Sequence, residues 1–115
     1  MTGNALSEGI RLYNTNCFKD ALAFFLGLPE EVHVDSMELM YYIGLCYSKL
    51  GRYEDALLYL EQVVTAGKNQ DRVLQCRYIL AVIYAVSGRK RLAQFELNKL
   101  LELNYRPASV YASLA

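Results

Sequence analysis

An all-α array of antiparallel helix hairpins is the fold this sequence predicts, and three observations predict it. Apolar residues recur at helical spacing in two adjacent segments, Met40, Ile43, Tyr47 and Leu50, then Ala56, Leu57 and Leu60. Gly51 stands between the segments as a turn residue. The arrangement then recurs: Gly9 and Gly44 are 35 residues apart, as are Ala21 and Ala56, and Ala81 follows Gly44 by 37. One face of such a hairpin is too apolar for water and cannot be covered by the hairpin alone, so neighbouring copies must stack.

The first copy is read over residues 3–34. Phe18 takes the place of Tyr53, Phe25 that of Leu60, and Asn16 stands at the turn, where Asn tolerates a left-handed backbone. Glu8 replaces an aliphatic residue and predicts a solvent-facing surface, as in a terminal repeat. Gly27 and Pro29 close the second helix, and residues 30–34 are a linker. The second copy spans residues 37–70. Asp35 with Glu38 has capping-box spacing, which starts the third helix near Ser36. The fourth helix is expected from about Arg52 to Ala66, with Gly67 as terminator.

The third copy, residues 74–107, repeats the pattern with Leu80, Ala81, Tyr84, Gly88, Ala93 and Leu97. Its extra residues fall in 69–73 and lengthen either the connection or the fifth helix. Arg77 stands at a position expected to be bulky and apolar, and its stem can cover that surface. Pro107 suits a helix start, and Tyr111, Leu114 and Ala115 resume the opening spacing. Residues 108–115 therefore read as the start of a fourth copy or a capping helix, from a longer array. Leu97, Leu100, Leu101 and Leu103 would leave the C-terminal face in need of cover, which predicts homodimerisation through that face.

Met40, Ile43, Gly44 and Tyr47, followed by Gly51, Tyr53, Ala56 and Leu60, resemble the tetratricopeptide repeat. Met40 stands where that family has Trp, and Lys68 where it has Pro. The resemblance implies a right-handed superhelical solenoid and a scaffold for protein binding, whose first helices line a concave groove. The groove positions are Leu6, Ile10, Tyr13 and Asn14, then Tyr41, Leu45, Ser48 and Lys49, then Tyr78, Val82, Ala85 and Val86. Nine of these twelve are apolar or aromatic, which points to an apolar peptide or helix as partner. The competing reading is that crowding between hairpins buries many of them. The Hsp70/Hsp90 carboxylate clamp is not expected, because its five positions are occupied by Leu6, Ile10, Tyr42, Gln75 and Ile79. Two alternatives remain: a structural or self-association segment of a larger protein, or a chaperone for a secretion subunit.

The chemistry-bearing residues are sparse. His33 is the sole histidine and reads as a solvated loop residue. The pairs Glu30/Glu31 and Glu54/Asp55 are adjacent in sequence and diverge on a helix; the second complements a helix dipole. With no HExxH, P-loop, GxSxG or CxxC, no enzyme, metal or cofactor is expected. Cys17, Cys46 and Cys76 read as free buried thiols of a reducing compartment, and the chain as cytoplasmic. No apolar run approaches the ~20 residues that span a bilayer. Net charge is zero, but residues 71–115 hold seven bases against three acids. Arg89, Lys90 and Arg91 form the sole basic run, placed in a turn: either solvated, or a contact for an acidic protein segment or phosphate. No interleaved aromatics favour nucleic acid.

Overall fold

A computed structural model describes residues 5–105. Those residues form six α-helices and no strand: α1 (Ser7–Asn14), α2 (Phe18–Leu26), α3 (Ser36–Lys49), α4 (Tyr53–Ala66), α5 (Gln70–Val86) and α6 (Lys90–Glu102). The all-α hairpin architecture is the expected one. The expected fourth copy, with Pro107, Tyr111, Leu114 and Ala115, lies outside the described residues. The chain divides into two compact units, Met1–Gln62 and Val63–Ala115, with the division inside α4.

One device makes every hairpin turn. After α3 the Gly51 N–H donates to the Ser48 carbonyl and the Arg52 N–H to that of Tyr47, while Gly51 takes a φ of 76°. This Schellman closure satisfies the last carbonyls of the helix and reverses the chain. Asn16 does the same after α1 at φ 65°, with Cys17 N–H donating to Leu12. Gly88 repeats it after α5, with Arg89 N–H donating to Tyr84. Asn104 closes α6 in the same way at φ 60°, a stop signal the sequence reading passed over.

In the first unit, α1 packs on α2 and α2 on α3. Gly9 sits where a Cβ would collide with the Phe25 ring, and at Gly44 a Cβ would lie 2.6 Å from Leu60 Cδ2. The two glycines mark equivalent close crossings of a first helix against a second. Ala21, Ala56 and Leu60 are fully buried. Aromatic rings fill the remainder: Phe25 stacks on Tyr42 at 5.7 Å, and Tyr13 meets Phe18 edge-on at 5.3 Å. Asp35 caps α3, its Oδ1 accepting from the N–H groups of Met37 and Glu38 at 2.9 and 3.1 Å. Glu8 is exposed, as expected, and pairs with Arg11.

In the second unit, α5 packs on α6. The extra residues of this copy extend the helix rather than the connection: α5 has 17 residues against 14 in α3, begun by Asn69, whose side chain accepts from Arg72 N–H. Leu80, Ile83 and Leu100 are buried. Arg77 contributes more than its stem. Its guanidinium reaches across the hairpin to Glu96 at 2.8 Å, both side chains being largely covered.

Candidate functional site

α5 is apolar nearly all round, with the sequence QDRVLQCRYILAVIYAV. Val73, Cys76, Leu80, Ala81, Ile83 and Tyr84 are buried. A single helix–helix contact cannot cover the rest. Tyr78, Val82, Ala85 and Val86 fall on the remaining stripe, and together with Ala81 and with Leu97 of α6 they line a groove of about 260 Å³. Val82 is 39% exposed and Val86 60%. The four groove positions expected on α5 are thus brought together in an open apolar channel. Leu97, expected on the C-terminal face, is an addition from the second helix of the hairpin.

The expected groove residues of the first unit are placed differently. Leu6 precedes α1 and is 1% exposed, and Tyr41 and Leu45 on α3 are each 7% exposed. None of these three presents open surface. Ile10 and Tyr13 are half-buried. The Tyr13 ring lies against Phe18 and Tyr42, and burial raises its phenol pKa above the ordinary value. Lys49 is exposed, its ammonium 6.0 Å from the centre of the Phe18 ring.

The basic run is not confined to a turn. Arg89 is the residue before α6, and Lys90 and Arg91 form its first turn, where no acidic residue is present. Arg91 shares with Gln94, Phe95, Asn98, Lys99 and Glu102 a separate depression on α6. Of the leucines expected on the C-terminal face, Leu100 is fully buried and Leu97 lines the groove, whereas Leu103 is exposed along with Leu92 and Phe95.

His33 is exposed, and Asp55 pairs with Arg52 at 2.9 Å. Among the described residues no three His, Cys, Asp or Glu side chains converge as metal ligands. The three cysteines are free, but Cys17 is exposed, contrary to expectation, because it stands at the turn before α2. Cys46 and Cys76 are buried, which pushes their thiols up to about 11 and about 12. Among the described residues no helix is long and apolar enough to cross a membrane.

No curated protein and no solved structure matches the chain. The sequence profile of the tetratricopeptide repeat matches residues 37–69, the segment that holds α3 and α4. Such a repeat is a non-catalytic helix hairpin and points to a protein–protein interaction module. Over residues 37–69, with Gly44 at the crossing, Gly51 at the turn and Ala56 buried, the central hairpin is similar to a tetratricopeptide repeat.

Proposed function

We propose that this chain recognises another protein by taking an apolar peptide or helix into the groove of α5 and α6. The observation that carries the reading is the open stripe of Tyr78, Val82 and Val86 beside Leu97. Uncovered apolar surface forgoes roughly 25 cal/mol per Å² of stabilisation, which a complementary apolar segment recovers. The groove presents no charged side chain in its lining, so its contribution is shape and desolvation. Leu6, Tyr41 and Leu45 support the first unit's packing in this reading and do not touch the partner.

Affinity capture from native lysate with the wild-type chain and a Val82→Ser/Val86→Ser variant tests it. Both positions are exposed, so helicity by circular dichroism is expected to hold while capture is lost. Equal capture by the two proteins overturns the proposal.

A further inference from the structure

We infer that the partner segment is apolar with an aspartate or glutamate at one end, and that Lys90 receives this carboxylate at the turn end of the groove. The inference rests on the recognition reading above and adds the chemistry of the ligand. Its first support is charge. Between Asp71 and Glu96 the chain carries five basic residues, Arg72, Arg77, Arg89, Lys90 and Arg91, and no acidic one. All of the groove except Leu97 lies in that interval. Glu96 is committed to Arg77 at 2.8 Å and so does not neutralise the turn end.

The second support is position. Leu97 is the residue that α6 contributes to the groove, and Lys90 lies seven residues before it, two turns along the same face. Lys90 is exposed and opens α6 four residues after Val86 ends α5, at the turn between the two helices that form the groove. Arg91 lies on the other side of α6, with Phe95 and Asn98. Arg91 thus lines a different depression, and Lys90, in helical register with Leu97, is the cation the proposal assigns to the groove.

The third support is the local imbalance at this helix start. Helices α1 to α5 each have an acidic residue in the first turn, namely Glu8, Asp20, Glu38, Glu54 with Asp55, and Asp71, whereas α6 has none. A wholly apolar ligand running past Lys90 would strip water from its ammonium and offer nothing in return. A basic flank would add repulsion. A carboxylate supplies a charge-assisted hydrogen bond at the point where desolvation is most costly. Nucleic acid fits less well, because Tyr78 is the sole aromatic ring in the lining and successive bases have no stacking platform.

Panning a displayed random peptide library on the full chain tests this. The expected peptides place aliphatic residues next to Asp or Glu, and lose binding on the Val82→Ser/Val86→Ser chain. Lys90→Glu should weaken them roughly tenfold at low salt, an effect that shrinks as salt screens the pair. Lys90→Gln, a neutral change at an exposed site, should fall between, and Arg91→Glu should change affinity by less than about threefold. Groove-dependent peptides without acidic enrichment, or unmoved by Lys90→Glu, overturn this inference and leave the recognition reading standing. Acidic peptides that bind the Val82→Ser/Val86→Ser chain as well as wild type overturn both, as does a library that yields no groove-dependent binder. Displacement of selected peptides by polyuridylate RNA at low concentration would make the basic end a phosphate site and also overturn it.

Discussion

Gly44 and Gly51 lie seven residues apart in the central hairpin and are glycine for different reasons. At Gly44 the reason is space: a Cβ would stand 2.6 Å from Leu60, itself fully buried and unable to swing away. Gly44→Ala should destabilise the protein by about 1–2 kcal/mol in urea unfolding, overpacking outweighing the ~1 kcal/mol that alanine gains in helix propensity. At Gly51 nothing lies within 4 Å of a built Cβ, and the φ of 76° is the constraint. Gly51→Asn should therefore be tolerated far better than Gly51→Val, as Asn16 at φ 65° already illustrates. The cysteines divide in the same spirit. Cys17 should react with a disulfide reagent in the folded chain, whereas Cys46 and Cys76 should react only on unfolding. Their folded pKa values, raised by burial to about 11 and about 12, have a definite sign for stability. Below pH 9 both states hold the proton, so nothing is lost there; above it the unfolded thiols ionise first, and stability falls as pH rises toward those folded values. Replacing both by Ala or Val should flatten that alkaline decline, measured by denaturant melts across pH.

Helices here are defined at their ends more than by their interiors. Asp35 holds two N–H groups of α3, and Asp35→Ala should cost about 1 kcal/mol, with Asp35→Ser recovering most of it. In the α5–α6 hairpin the comparable element-level contact is Arg77–Glu96. Its side chains are 22% and 13% exposed, between the surface pairs that contribute almost nothing and the buried pairs whose disruption is severe. Glu96→Ala should thus cost about 1–3 kcal/mol by stranding the guanidinium, while Arg77→Met with Glu96→Leu should recover much of the loss. A double-mutant cycle in urea measures both; an additive result would mean that the two side chains do not interact.

At the scale of the whole molecule, α6 carries uncovered apolar surface. Leu92 and Phe95 on α6 and Leu103 just after it are exposed, and we propose self-association through this surface on the same apolar logic as the groove. Sedimentation velocity over a hundredfold dilution series should show a dimer dissociating, and Phe95→Ser with Leu103→Ser should leave monomer throughout. A wild-type chain that is monomeric at every concentration removes this expectation.

The sequence by itself determined the hairpins, because their signals are local. Apolar spacing fixes which face of a helix must be buried, a residue able to take a left-handed backbone fixes each turn, and Gly9, Gly44, Ala21 and Ala56 mark the crossings by their size. What only the tertiary structure decided is which apolar residues stay in contact with water. Leu45 and Val82 occupy equivalent places in the repeat pattern, one residue after Gly44 and Ala81, and the first is 7% exposed while the second is 39% exposed. Helical periodicity places a side chain on a face, but exposure depends on what other segments bring against that face, and no pattern within one helix contains that information. The Arg77–Glu96 pair was hidden for the same reason: 19 residues separate its partners, and only the packing of α5 on α6 closes the distance to 2.8 Å.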